Sequence, residues 1–163
     1  MNTLIFGSRE KRLLKRKKEI LAMYSGEDAN EVVMVIEGEE QFIFDVIGGL
    51  ALSRIIHETE FLKLVIQELS DGFIRRCGID EFEEVVDSKF LAATTGVSEK
   101  VFSLLIRETD SDSIKSIVER TVGLVDFAQK ALDYYGIDYF ADPYTEGQPS
   151  LITEDGFYLY TLC

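Results

Sequence analysis

Apolar residues recur along much of this chain at intervals of three and four, the spacing that gathers them on one side of an α-helix. The longest stripe runs through residues 113–135, where Ile114, Ile117, Val118, Val122, Val125, Ala128, Leu132 and Tyr135 share a face. Asp110, Ser111, Asp112 and Ser113 supply capping oxygens at its start, and the acidic ones suit the positive end of the helix dipole. Gly136 stands where such a helix ends. The same spacing predicts a helix over 59–76, with Phe61, Leu62, Val65, Ile66, Leu69, Phe73 and Ile74 inward, Thr59 as N-cap and Gly78 as stop. A third helix is predicted over 9–24, capped by Ser8, with Leu13, Leu14, Ile20, Leu21 and Tyr24 near one face and an almost wholly basic opposite face.

Other stretches are less periodic. Residues 40–56 are apolar around most of a helix, which predicts a buried helix in the middle of the fold. Gly48-Gly49 weakens that helix by ~1 kcal/mol per glycine, and either allows close helix crossing or breaks the stretch in two. Residues 32–36 fit a strand or a buried helix equally. The acidic stretch 80–87 suits a short surface helix, and 88–95 and 98–108 suit two more, split at Gly96. In the tail, Phe157-Tyr158-Leu159-Tyr160 reads as a strand, with Leu4–Phe6 or Val32–Ile36 as its pairing candidates. Coil is expected at 25–30 and 137–156. The fold class is mainly α: an irregular bundle of five to seven helices with a minor β element near the termini. The helices near 42–56, 61–74 and 114–135 are expected to supply the core. One domain is expected over 1–163, with a basic helical arm at 9–24 and an aromatic tail at 137–163.

Composition narrows the class. At 163 residues, with 46% hydrophobic and 29% charged side chains, the chain can bury a core without disulfides or metal. The formal net charge is −13, unevenly spread. Residues 1–20 hold seven basic and two acidic side chains, and the remainder is strongly acidic. A polyanionic body repels nucleic acid and attracts cationic partners. Protein inhibitors that mimic DNA share this layout. The basic residues Arg9 to Lys18 admit contact with phosphates, contact with an anionic membrane, or packing against the acidic body.

Lys89-Phe90-Leu91-Ala92-Ala93-Thr94-Thr95-Gly96-Val97-Ser98-Glu99-Lys100-Val101-Phe102-Ser103-Leu104-Leu105 resembles the helix-turn-helix of bacterial repressors. Ala92 stands where two helices cross closely and Gly96 where the turn needs a permissive backbone. Val97, Phe102 and Leu105 stand where the second helix packs. The resemblance covers about twenty residues. It implies that Ser98, Glu99, Lys100, Ser103 and Arg107 face the groove. Phosphate attraction dominates DNA affinity, and this segment lies between Glu81–Asp87 and Glu108–Asp112.

Catalytic and metal signatures are sparse. His57, the single histidine, stands beside Glu58 and Glu60, which together could serve a small enzyme as general base and partner; a hydrogen-bonded boundary histidine explains the same residues. The carboxylate groups are Glu37/Glu39/Glu40, Asp80–Asp87 and Glu108/Asp110/Asp112. A hard cation needs several oxygens from a turn-forming loop. Asp110-Ser111-Asp112 offers two but lacks the glycine and closing glutamate of a calcium loop, so helix capping explains the same residues. Cys77 and Cys163 have no metal spacing. No phosphate loop or dinucleotide pattern is present, so no cofactor, metal or catalytic residue is expected. No run of ~20 apolar residues predicts a membrane span. With the basic residues following the short apolar run Leu4–Phe6 rather than preceding it, a cytoplasmic protein is expected.

The function expected on these grounds is a non-enzymatic acidic interaction module, an inhibitor or adaptor docking on the basic surface of a nucleic-acid-handling protein. Its contact residues would be Glu81, Glu83, Glu84, Asp87, Glu108, Asp110 and Asp112. The alternatives are a helix-turn-helix regulator over 89–107, reading DNA through Ser98, Lys100, Ser103 and Arg107, and a small enzyme using His57. Tyr139, Phe140, Tyr144, Tyr158 and Tyr160 either cover the core or form a homodimer seam.

Overall fold

In a computed structural model, described for residues 8–25, 33–36, 44–48, 51–141 and 148–162, the chain is mainly α. Among the described residues there are seven α-helices: α1 (Ser8–Ser25), α2 (Phe61–Asp71), α3 (Ser88–Thr95), α4 (Glu99–Arg107), α5 (Ser111–Thr121), α6 (Leu124–Tyr135) and α7 (Ile137–Ala141). The strands are β1 (Val33–Ile36), β2 (Phe44–Gly48), β3 (Ala51–His57), β4 (Ile74–Gly78), β5 (Glu81–Glu84), β6 (Leu151–Ile152) and β7 (Phe157–Leu162). Two compact units are formed, one from Met1–Phe61 with Ala141–Cys163 and one from Leu62–Phe140.

The first unit is an antiparallel sheet in the order β1-β2-β3-β7-β6 together with α1. Here the pattern over 40–56 resolves differently from the expected buried helix. Phe44–Gly48 and Ala51–His57 pair as a β-hairpin, with Gly48 opposite Ala51. A strand covered on both faces is apolar all along, just as a buried helix is, so periodicity does not separate them. The β-branched content and the Gly-Gly step favour the hairpin. The tail does form a strand, but β7 pairs with β3 and β6 rather than with β1. Leu4–Phe6 lies outside the described residues. Ile20 and Leu21 of α1 pack with Ile55, Phe157 and Leu159, with Leu13 and Leu151 partly buried against them.

The second unit is helical, with one small hairpin. Its buried residues include Leu64, Val65 and Leu69 of α2, Phe102 of α4, Ile114 and Val118 of α5, and Phe127, Ala128 and Ala131 of α6. Two expectations change here. The helix over 59–76 stops at Asp71, and residues 74–84 form the β4–β5 hairpin, which replaces both its last turn and the surface helix expected over 80–87. Arg75 lies opposite Glu83 across the strands, with Nε 2.6 Å from Oε1, a pairing that a helix would not make. The stripe over 113–135 is broken at Gly123, whose φ of 88° and ψ of 143° no helix contains. Thr121-Val122 ends α5, and α6 starts afresh from Gly123. Gly136, with φ 82°, ends α6 where the sequence indicates.

Candidate functional site

The acidic groups meet the surface on the β4–β5 hairpin. All four residues of β5 are exposed. At the tip, Asp80 takes a φ of 57°, a left-handed conformation that aspartate tolerates in tight turns. Two large apolar side chains project among the carboxylates: Ile79 is 87% exposed and Phe82 52%. Neither residue stands out in the sequence, where Phe82 falls within the short surface helix expected over 80–87. The available signal was the pair of matched runs, Arg75-Arg76 and Glu83-Glu84, on either side of Gly78-Ile79-Asp80.

The base of this hairpin is fixed from several sides. The Phe73 N–H donates to Ser111 Oγ at 2.8 Å, so the start of α5 stands against the foot of β4. The Val85 N–H donates to the Phe73 carbonyl at 2.9 Å, closing the foot. The Tyr139 hydroxyl donates to the Val85 carbonyl. The Asp87 N–H donates to Tyr135 Oη at 3.0 Å, and the Tyr135 hydroxyl donates back to Asp87 Oδ2 at 2.7 Å. Burial pushes both phenols above their ordinary pKa, which keeps them neutral donors. Tyr135 and Tyr139 stack with ring centroids 4.5 Å apart.

The seven expected contact residues therefore divide. Asp87 caps α3, with Oδ1 2.7 Å from the Phe90 N–H, and its other oxygen is held by Tyr135. Asp110 caps α5, accepting from the Ser113 hydroxyl at 2.6 Å and from the Ser113 N–H at 3.1 Å. Those bonds hold the Asp110 carboxyl below its ordinary pKa. Glu83 is engaged by Arg75. Glu81, Glu84, Glu108 and Asp112 are exposed and make no ion pair among the described residues.

The helix pair expected over 88–108 is present. Gly96 (φ 76°) ends α3 and Ser98 caps α4, accepting from the Lys100 N–H at 3.3 Å. Phe102 is buried, and Ser98, Lys100, Ser103 and Arg107 are all exposed. Val101 and Leu104 are exposed among them, at 40% and 47%.

His57 holds a corner. Its Nδ1 accepts from the Thr59 N–H at 3.3 Å and lies 2.7 Å from Thr59 Oγ1. Its Nε2 lies 2.8 Å from the Asp155 carbonyl oxygen, which only accepts, so the proton is on Nε2. His57 thus caps the 3-10 turn Glu58–Glu60 that leads into α2, where Thr59 is the expected N-cap. Neither neighbouring carboxylate reaches the ring to form a base and its partner. Glu60 Oε1 accepts the His57 backbone N–H at 2.9 Å, and the Glu58 side chain lies over Gly156.

The basic arm partly turns inward. Lys17 is fully buried, with Nζ 2.6 Å from Glu60 Oε1, and burial pushes its pKa down. Arg16 Nε lies 2.9 Å from Asp155 Oδ2, and that contact, with help from Thr153, lowers the Asp155 carboxyl to about 2. Lys11 and Lys15 stay exposed. Among the described residues, no group of His, Cys, Asp and Glu could hold a metal ion, and no helix is long and apolar enough to cross a membrane. No protein family, curated protein or solved structure matches the chain.

Proposed function

We propose that the protein is a non-enzymatic acidic interaction module, an inhibitor or adaptor that docks on a basic protein surface through the β4–β5 hairpin. The observation that carries this reading is the hairpin's composition. Exposed carboxylates at Glu81 and Glu84 stand in the same hairpin as the exposed apolar side chains of Ile79 and Phe82. Apolar anchors within a charged rim are the makeup of a contact surface, since the anchors supply buried area and the charges steer approach. Anchoring of the hairpin foot by Ser111, Tyr135 and Tyr139 lowers the ordering cost of binding. The partner that fits is cationic with an apolar recess, a description met by proteins that handle nucleic acid. Glu108 and Asp112, also exposed, are further candidate contacts, and Asp87 and Asp110 serve as helix caps. The free, exposed Cys77 is consistent with a reducing cytoplasm.

The test is affinity capture at low and high salt with the parent protein and with Glu81→Lys/Glu84→Lys, partners being identified by mass spectrometry. A basic protein held by the parent in low salt and lost from the double variant is the expected result. Retention of the same proteins by the variant would sink the reading.

A second reading keeps the exposed set Ser98, Lys100, Ser103 and Arg107 as a DNA-reading face, supported by α3 and α4 being two helices joined by a short turn at Gly96. Val101 and Leu104 at the middle of that face, with Glu99 and Glu108 at its ends, suit protein contact better than phosphate contact. Recovery of DNA in the same capture, abolished by Lys100→Glu, would favour the second reading.

A further inference from the structure

The outward face of α4 carries the complement of the hairpin. Glu99, Lys100, Ser103, Leu104 and Arg107 line an open concavity of about 430 Å³. Lys100 and Arg107 make no ion pair among the described residues, although acidic side chains outnumber basic ones by 30 to 17 in the whole chain. Leu104 lies one turn from each of them, so an apolar side chain sits between two free cations.

On the hairpin, Phe82 and Glu84 are two residues apart in one strand and so share a face, ~6.8 Å apart. On α4, Leu104 and Lys100 are four residues apart, ~6 Å along the axis. An aromatic ring over Leu104 therefore brings the neighbouring carboxylate within reach of Lys100. Arg76, opposite Phe82 on the same face, bonds the Gly78 carbonyl at 3.1 Å, and Arg75 is engaged by Glu83. The hairpin as a whole, with Asp80, Glu81, Glu83 and Glu84 against two arginines, is net acidic.

We propose that the α4 face is the docking site for the β4–β5 hairpin of a second copy of this chain. The inference rests on the reading of the hairpin as a docking element, and it names one surface that the hairpin fits. The contact joins two different patches, so two copies associate head to tail, either closing reciprocally into a dimer or adding further copies. Self-association covers the same hairpin that an outside partner would use. Partner binding and self-association therefore compete, and the free hairpin is set by protein concentration.

Sedimentation equilibrium of the full chain over a concentration series, at low and high salt, tests this. The parent is expected to associate and to weaken in high salt. Lys100→Glu/Arg107→Glu and Glu81→Lys/Glu84→Lys should each associate at least about tenfold more weakly. Leu104→Ala should weaken association without any change of charge. An equimolar mixture of the two charge-reversed variants should associate again, because the reversed helix face then meets a reversed hairpin. A monomeric parent throughout the series, variants that associate like the parent, or a mixture that stays monomeric while both components keep the parent's circular dichroism would overturn the proposal. Failure here leaves the capture experiment on the hairpin unaffected, and loss of that capture result leaves the sedimentation result standing, so the two ideas fail separately.

Discussion

Lys17 Nζ lies 2.6 Å from Glu60 Oε1, and the two side chains are 0% and 5% exposed. A lysine from the basic face of α1 is thereby joined to the 3-10 turn that follows the central strand β3. Glu60 Oε1 also accepts the His57 backbone N–H, so one carboxylate serves both the helix and the corner.

Breaking this pair from one side leaves a buried charge uncompensated. Lys17→Met is expected to destabilise the protein by about 3–5 kcal/mol, and Glu60→Gln comparably. Lys17→Met/Glu60→Gln should lose less than the sum of the two, a coupling read from a double-mutant cycle of urea midpoints. Burial lowers the Lys17 pKa, so just below the ordinary lysine range the native state binds fewer protons than the unfolded chain. Stability from this group then rises with pH through that window, and the rise should vanish in Lys17→Met. Equal slopes in the two proteins would refute the lowering of the Lys17 pKa by burial.

Gly123 gives a prediction whose sign separates two structures. In a continuous helix over 113–135, Gly123→Ala would stabilise by ~1 kcal/mol. In the broken one, φ of 88° with ψ of 143° is a conformation that suits glycine alone. The substitution should then destabilise by about 1–3 kcal/mol, even though no atom lies within 4 Å of the added Cβ. Thermal or urea unfolding decides between a gain and a loss.

Tyr135 and Asp87 exchange two hydrogen bonds at the hairpin foot. Tyr135→Phe should lower stability by about 1–3 kcal/mol, because a partly buried N–H and a carboxylate lose their partner. Asp87→Ala removes the α3 cap as well and should cost about 1 kcal/mol more. Burial raises the Tyr135 pKa, so above about pH 10 the unfolded chain gives up a proton that the native state keeps. Stability falls with pH there, and the fall should be shallower in Tyr135→Phe. Hydrogen exchange at Val85–Asp87 should quicken in both variants if the contact holds the foot.

Legible from the amino-acid order alone were the mainly α class, the acidic charge, the glycine-punctuated turn between α3 and α4, the end of α6 at Gly136 and a cap near Asp110. Each of these depends on neighbours within a turn or two, where periodicity and capping chemistry act. The tertiary structure decided what depends on distant partners. Phe44–Gly48 and Ala51–His57 are strands in a sheet where β7, a hundred residues later, supplies the ladder for β3. Residues 74–84 became a hairpin because its arms pair with each other and its foot is held by α5, α6 and α7. Lys17, one of seven basic residues near the N-terminus, is drawn inside by tertiary contact with the buried Glu60. The acidic residues are alike in sequence; Asp87 and Asp110 became structural caps, and Glu81 and Glu84 stayed open to solvent. Local chemistry specifies which residues can hydrogen-bond or turn, and only the folded chain assigns each carboxylate its partner.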